Sequence, residues 1–179
     1  MSVPLLVRAK TIVTCATGAP QSGVTFERLG MHSPGSLLCV DGRVEKIGTP
    51  REVEADLAGD VDVLDLPDCI VVPGFMDAHT HPLFAGDREP DFAARQRGDA
   101  APLGMLYTVE QTRKALEDHH TQPAFWKLVR QRLHLMALHG TTTAEVKTGY
   151  ALHKEGETQL LDLIDAHKDQ PDLPRLIST

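Results

Sequence analysis

Two histidines separated by one residue are the strongest candidates for chemistry in this sequence. His79 and His81 end the segment Pro-Gly-Phe-Met-Asp-Ala-His-Thr-His at positions 73–81. In a strand, side chains two residues apart point to the same side, and two neutral imidazoles can share one metal ion at about 2.0–2.1 Å. The C-terminal end of a strand is also where α/β barrels place their active sites. The same spacing fits a pair of solvated loop histidines, but the preceding strand and turn favour the metal site.

A second group of polar residues lies on the strand expected at positions 141–147. Glu145 and Lys147 lie two residues apart, so their side chains share a face of that strand. They either line a pocket or form an internal ion pair that fixes the strand. Asp77, just before the histidines, is expected to be buried and is a third candidate for the pocket.

The elements that must position these residues fall into two parts. Residues 1–70 predict a small β-rich domain, and residues 71–179 alternate short strands with longer helices, which is typical of βα units with a parallel sheet. Strands are expected at 5–13, 61–66, 69–72, 75–79, 141–147 and 176–179, with a hairpin over 35–48 that turns at Asp41-Gly42. Helices are expected at 108–118, 121–140 and 154–167, the first starting in a capping box at Thr108.

Length and charge exclude several classes of protein. Lys+Arg 18 against Asp+Glu 25 gives a net charge of −7 in 179 residues, which excludes a basic nucleic-acid-binding surface. No apolar run approaches the ~20 residues of a membrane helix, and no signal peptide is recognisable, so a cytoplasmic protein is expected. The cysteines Cys15, Cys39 and Cys69 form no CxxC pair and are expected to be reduced. A complete (β/α)₈ barrel takes roughly 250 residues. The fold class expected from the pattern is therefore α/β, and any (β/α)₈ barrel that this chain resembles must be incomplete.

Three motifs together resemble a known family. The segment at 73–81 resembles the first barrel strand of the metal-dependent amidohydrolase superfamily. The segments His-Pro-Leu-Phe-Ala-Gly-Asp-Arg at 81–88 and Gly-Thr-Thr-Thr-Ala-Glu-Val-Lys-Thr-Gly-Tyr at 140–150 are similar to the N-terminal portion of the imidazolonepropionase family within it. The resemblance implies the first βα units of an incomplete amidohydrolase-type (β/α)₈ barrel, preceded by a small β-rich, composite β-sandwich-like domain. It also implies hydrolysis of the cyclic amide bond of 4-imidazolone-5-propanoate to N-formimidoyl-L-glutamate, a step of histidine degradation.

The resemblance also implies roles for single residues. It makes His79 and His81 ligands of one metal ion, zinc or iron, and it makes Arg88 the binder of the substrate propionate and Tyr150 a second substrate contact. Without the resemblance, Arg88 would be interpreted as a solvated loop arginine and Tyr150 as a surface tyrosine. The further metal ligands and the general acid or base of the family come from later strands, so no catalytic residue is assigned in this chain. The chain by itself is expected to be inactive.

Two alternatives stay open. The chain could belong to another cyclic amidohydrolase or a deaminase of the same superfamily, since the first motif does not separate these enzymes. It could also be a non-catalytic truncated remnant that associates with another chain. The partners expected are a small-molecule substrate and either a second copy of the chain or a complementing C-terminal half, with no nucleic acid and no membrane.

Overall fold

The computed structural model of the chain describes residues 3–16, 29–55, 57, 59–117 and 122–179. The chain divides into two compact units, Met1–Pro73 and Gly74–Thr179, whereas the boundary expected from the sequence lay between residues 70 and 71. Across the described residues, no helix has the length and apolar character that a membrane crossing requires.

The first unit is a β-sheet with one short helix. Its elements are the strands β1 (Leu5–Val13), β2 (Met31–His32), β3 (Gly35–Val40), β4 (Arg43–Gly48) and β5 (Asp62–Val71) and the helix α1 (Pro50–Glu54). Strand β1 is central, because it pairs antiparallel with β2 and β3 and parallel with β5. Strand β4 pairs antiparallel with β3 and completes the sheet among the described residues.

The predicted hairpin is confirmed at its turn. Asp41 has φ 48° and Gly42 has φ 76°, and two successive residues of positive φ make the turn that matches the twist of antiparallel strands. Glycine adopts this conformation without steric cost, and aspartate is among the few other residues that tolerate it.

The strand pair predicted near the end of this unit is wrong, because β5 is one continuous strand. Pro67 and Asp68 look like a turn in the sequence. In the structure the ladder between β1 and β5 shifts register between Ala9 and Thr11. The bulge accommodates Pro67, which has no N–H to donate to a regular ladder.

The core of the first unit lies between the sheet and α1. Leu6, Ile12 and Val53 are each at most 2% exposed. The helix starts in a capping box, in which Thr49 and Glu52 each accept a hydrogen bond from the other's backbone N–H. This cap fixes the short helix so that Val53 faces the sheet.

The second unit has the alternating order that the sequence predicts. Its elements are β6 (Phe75–Thr80), α2 (Glu89–Gln96), α3 (Met105–Glu117), α4 (Gln122–Leu138), β7 (Thr141–Val146), α5 (Lys154–His167) and β8 (Arg175–Ser178). The strands are parallel in the order β6-β7-β8. Helices α2 to α4 connect β6 to β7, and α5 connects β7 to β8, so the α/β class is confirmed.

The core of this unit packs α4 and α5 against the central strand. Its most buried members, at most 1% exposed, are Leu83, Val129, Leu133, Ala144, Val146, Ala151, Leu160 and Ile164. Because the strands are parallel, their C-terminal ends share one edge of the sheet. The residues that follow β6 and β7 therefore meet at that edge.

Two helix predictions in this unit need correction. Helix α3 begins at Met105, and Thr108 lies inside it, where its hydroxyl donates to the Met105 carbonyl at 2.8 Å instead of capping the helix start. Helix α2 was not predicted. Its buried side chains are Asp91 and Ala94, so it lacks the apolar stripe that would indicate a helix in the sequence.

Candidate metal and substrate site

The two histidines of the motif lie together at the C-terminal end of β6. The ring centroids of His79 and His81 are 5.0 Å apart, with the rings nearly perpendicular. Thr80 between them donates from its hydroxyl to the Glu145 carbonyl on β7 at 2.7 Å, which anchors the strand end. The strand geometry therefore brings both imidazoles to one place, as the spacing predicts.

His81 has a polar atom that the protein leaves unsatisfied. Its Nδ1 is buried and has no hydrogen-bond partner, and the same is true of Glu145 Oε2. Buried polar atoms are nearly always paired in folded proteins. Such an orphaned imidazole nitrogen has a free lone pair for a metal ion when the ring is neutral.

Glu145 joins this pair from the neighbouring strand. Its Oε2 lies 3.5 Å from His79 Nδ1, and its side chain is 19% exposed. Its Oε1 accepts a hydrogen bond from the Thr179 hydroxyl. That hydrogen bond is the main cause that lowers the pKa of Glu145, against the effect of burial, so the carboxylate is ionised at neutral pH.

Lys147 and Asp77 do not take the positions expected for them. Lys147 follows β7, is exposed, and approaches the Thr179 hydroxyl at 3.5 Å. Of the ion pairs among described residues, none joins it to Glu145. Asp77 is exposed rather than buried and accepts from the His79 backbone N–H at 3.3 Å. Alternation along β6 does not bury it, since every residue from Phe75 to His79 is exposed.

Tyr150 lies beside the histidines. Its ring centroid is 5.9 Å from that of His81 and 5.4 Å from that of Phe84. A cavity of about 270 Å³ opens here, lined by His81, Met105, Leu106, Val109, Gly149, Tyr150 and Leu152. Its lining is mostly apolar with a few polar groups, which is the usual character of a small-molecule site.

The loop that carries Tyr150 is held by one carboxylate. Glu157, in the first turn of α5, accepts hydrogen bonds from the backbone N–H groups of Gly149 at 2.7 Å, Ala151 at 2.9 Å and Leu152 at 2.8 Å. Three donors on one side chain fix the backbone on both sides of Tyr150. Sequence analysis missed this residue.

The loop after His81 is held by a half-buried arginine that the sequence also did not reveal. Arg132 on α4 donates to the carbonyls of Pro82 at 2.8 Å and Phe84 at 2.5 Å. Its guanidinium also lies 3.7 Å from the centroid of the Phe84 ring, a cation–π arrangement. Burial lowers the pKa of Arg132 from its ordinary value, yet a guanidinium remains charged at any physiological pH.

Arg88 lies at the start of α2. Its side chain is 28% exposed, and its Nε donates to Asp91 Oδ2 at 2.7 Å. Among described residues, no hydrogen bond, ion pair or ring contact joins Arg88 to His79 or His81. The structure thus brings His79, His81, Glu145 and Tyr150 together and places Arg88 in a separate network.

His79 and His81 are not part of a larger set of candidate metal ligands among the described residues. Within the described part of the chain, no group of three or more His, Cys, Asp or Glu side chains could hold a metal ion. A catalytic zinc site ordinarily has three protein ligands. The pair His79 and His81 fits a metal as part of such a ligand set.

The comparisons with known proteins agree with the motifs. No family model matches the chain. It is 40% identical over 157 residues to an imidazolonepropionase from Halobacterium salinarum and 38% identical over 170 residues to one from Symbiobacterium thermophilum. The aligned stretches cover 83% and 90% of this chain but only 36% and 39% of those relatives.

A solved structure agrees with the fold. Guanine deaminase from Bradyrhizobium japonicum superposes with a TM-score of 0.60 at 20% identity, over 99% of this chain and 35% of that one. Its likeness concerns the fold alone. The chain spans little more than a third of the sequence relatives' length. These sequence relatives place the chain in the imidazolonepropionase family.

Proposed function

We propose that the chain forms part of an enzyme that hydrolyses the cyclic amide bond of 4-imidazolone-5-propanoate to N-formimidoyl-L-glutamate. The observation that carries the proposal is the cluster of His79, His81 and Tyr150 at the carboxyl end of parallel strands, in which His81 and Tyr150 line a cavity. The relatives at about 40% identity give the reaction class. In this proposal β6, β7 and β8 are the first strands of an amidohydrolase-type (β/α)₈ barrel, preceded by a small β-rich domain.

The proposed metal ligands are His79 and His81. The buried, unpartnered Nδ1 of His81 and the 5.0 Å between the two rings support this assignment. A zinc or iron ion held there would polarise the ring carbonyl of the substrate and lower the pKa of a water molecule toward neutrality.

The residues around the histidines have separate tasks in this proposal. Glu145 lies close enough to His79 to orient its ring, as carboxylates beside metal-binding histidines commonly do. Tyr150 and the apolar wall of α3 pack against the substrate ring and exclude water from it. Arg88 binds the propionate, because a guanidinium can hold a carboxylate through two parallel charge-assisted hydrogen bonds.

The chain assayed by itself is expected to bind metal weakly and to turn over substrate negligibly. Two imidazoles leave a catalytic metal one protein ligand short of the usual three, and no general base is assigned among the described residues. Cobalt is a suitable probe, since the visible absorption of Co²⁺ reports its ligands. His81→Ala should remove the absorption change that Co²⁺ gives with the chain, while His139→Ala should keep it. His139 is an exposed histidine whose Nδ1 lies 2.8 Å from the Leu135 carbonyl.

The decisive test of the function is a chimera. The matched stretch of the Halobacterium salinarum imidazolonepropionase is replaced with this chain, and consumption of 4-imidazolone-5-propanoate is measured. We expect turnover that His79→Ala and His81→Ala abolish and that His139→Ala preserves. Arg88→Ala should selectively impair substrates that carry the carboxylate.

Other outcomes would favour the alternatives. A folded, metal-loaded chimera that does not consume 4-imidazolone-5-propanoate would refute the proposal. Deamination of a purine ring by that chimera would instead favour a deaminase of the same superfamily. A chain that binds no Co²⁺ and self-associates would favour a non-catalytic role.

A further inference from the structure

Asp91 is a buried carboxylate that has no role in the function proposed above. It is 1% exposed and lies on α2, three residues after Arg88. Its Oδ2 accepts from Arg88 Nε at 2.7 Å and from the backbone N–H of Gly104 at 3.0 Å, and its Oδ1 accepts from the backbone N–H of Leu103 at 2.7 Å. Removing a carboxylate from water costs free energy, so a buried charge is tolerated only where its hydrogen-bond donors are fixed around it.

The three donors come from two different places in the unit. Arg88 belongs to the loop that follows β6, whereas Leu103 and Gly104 directly precede α3. The first two turns of α3 supply Met105, Leu106 and Val109 to the wall of the cavity beside His81. One carboxylate therefore ties the arginine to the element that forms the cavity wall.

The contact with Asp91 does not use the two terminal nitrogens of Arg88. The contact with Asp91 uses the Nε–H, which is one of the five N–H donors of a guanidinium. The two terminal nitrogens remain geometrically able to hold a ligand carboxylate through parallel hydrogen bonds. Asp91 therefore limits the rotation of the Arg88 side chain without occupying the edge that a carboxylate would use.

The charge state of Asp91 suits this task. Its pKa lies below the ordinary aspartate value, chiefly because of the hydrogen bond from the Leu103 backbone, with further contributions from Arg88 and Gly104 that oppose the effect of burial. The carboxylate is therefore ionised at neutral pH. An asparagine in its place would keep the shape but would turn an N–H₂ group toward one of the donors.

We propose that Asp91 is a positioning residue that selects for substrates with a carboxylate, by orienting Arg88 and fixing the start of α3 beside the cavity. The inference rests on the proposed function, in which Arg88 binds the propionate. It deepens that function, because a buried residue outside the motifs would set the orientation of the substrate side chain. The other interpretation is that Asp91 merely caps the start of α3.

The test compares two probes on the purified chain. The probes are 3-(1H-imidazol-4-yl)propanoate and its primary amide, which differ only in the charge of the side chain. Titrations followed by side-chain NMR of ¹⁵N-labelled arginine report millimolar affinities and also show the Nε–H signal of Arg88 directly. We expect the chain to prefer the acid over the amide.

Asp91→Asn should then lower the affinity for the acid by about tenfold or more and leave the affinity for the amide within about twofold, with a shifted Arg88 Nε–H signal. Asp99→Asn is the matched control, because it removes an equivalent contact between Arg97 Nε and Asp99 at 3.0 Å, where both side chains are exposed. That variant should behave like the parent chain. If Asp91→Asn does not fold, Asp91→Glu replaces it, since it keeps the charge but displaces it by one methylene, and the preference for the acid should again fall.

The remaining outcomes separate this inference from the proposed function. If Arg88→Gln abolishes the preference for the acid and the Asp91 variants do not alter it, the inference about Asp91 is overturned and the function stands. If the Asp91 variants weaken both probes equally, Asp91 only caps α3 and the inference is again overturned. If the parent chain shows no preference, or Arg88→Gln does not reduce it, the proposed role of Arg88 fails.

Discussion

The carboxylate of Glu157 is expected to be the main support of the loop that carries Tyr150, and the substitution Glu157→Gln tests this. Oε1 accepts from the N–H groups of Ala151 and Leu152, and Oε2 accepts from that of Gly149. Glutamine has nearly the same volume but only one acceptor oxygen. It can keep at most the two bonds to Oε1, and its N–H₂ group would then face the Gly149 N–H.

The cost of this change follows from the three hydrogen bonds that backbone N–H groups donate to Glu157. A hydrogen bond to a charged group contributes about 1.5–3 kcal/mol and a neutral one about 0.5–1.5 kcal/mol. Losing one charged bond costs about 1.5–3 kcal/mol, and weakening two others to neutral bonds costs about 1–1.5 kcal/mol each, which together gives an upper bound of about 6 kcal/mol. Because the loop is partly exposed and water can replace a lost partner, we expect the free energy of unfolding to fall by about 2–3 kcal/mol.

Urea unfolding measures this loss. With a slope of about 2 kcal/mol per molar urea, the midpoint should fall by about 1 M or more. Glu155→Gln is the matched control, because it removes the same charge from the same turn of α5, and Glu155 has an 80% exposed side chain. Its effect should stay within about 1 kcal/mol, which covers the interaction with the helix dipole. Equal small losses for both variants would refute the support of the loop by Glu157.

The same carboxylate predicts a pH dependence. Burial acts to raise the pKa of Glu157, but hydrogen bonds from Leu152, Thr148, Ala151 and Gly149 outweigh it, and the pKa lies below the ordinary value. A group whose pKa is lower in the folded state stabilises the fold above its unfolded pKa of about 4.3. The stability difference between the parent and Glu157→Gln should therefore be full at neutral pH and should shrink as the pH falls below about 4. A difference that grows on acidification would contradict this sign.

Three further substitutions test the packing, the hairpin turn and the arginine clamp, each by urea unfolding. Leu133 is fully buried on α4, so Leu133→Ala should lower the free energy of unfolding by about 2–5 kcal/mol. Leu135 is 57% exposed on the same helix, so Leu135→Ala should lower it by under about 0.5 kcal/mol. Similar losses for the two variants would contradict the assigned core. Gly42→Ala should cost about 1–2 kcal/mol, because Gly42 has φ 76° with open space around it, and a neutral result would mean that the turn adopts another conformation. Arg132→Met should lower the free energy of unfolding by about 2–3 kcal/mol, since it leaves the Pro82 and Phe84 carbonyls without their donor. It should also shift the NMR signals of the Phe84 ring. Unchanged Phe84 signals would contradict the contact between Arg132 and this loop.

Local patterns in the sequence were sufficient for most of the elements. The strand Leu5–Val13 and the helix Lys154–His167 have the bounds that the apolar spacing predicts. The turn at Asp41-Gly42 follows from residues that tolerate positive φ. In each case the residues that set the structure are neighbours in the chain, so a short window contains the cause.

The errors occur where a distant partner decides the structure. Thr108 has the residues of a capping box, but its helix starts three residues earlier, because Asp91 accepts hydrogen bonds from the backbone that precedes α3. Pro67 looks like the end of a strand, but a shift in the ladder with β1 accommodates it. A local pattern has no information about such partners, and tertiary contacts outweigh the weak local preference.

The residues of the candidate site also differ in whether a local pattern could predict them. His79 and His81 could be predicted because the two-residue period of one strand brings them together. Three residues that fix the surroundings, Asp91, Arg132 and Glu157, act on loops through contacts that carry no motif.

Substitutions of the histidines and substitutions of these three supporting residues should therefore have different consequences. Changes at the histidines should remove metal binding with little effect on stability, because His79 is exposed and His81 Nδ1 has no partner to lose. Changes at the three supporting residues should alter stability and substrate preference together, because each holds in place a backbone segment that lines the cavity or adjoins a residue that lines it.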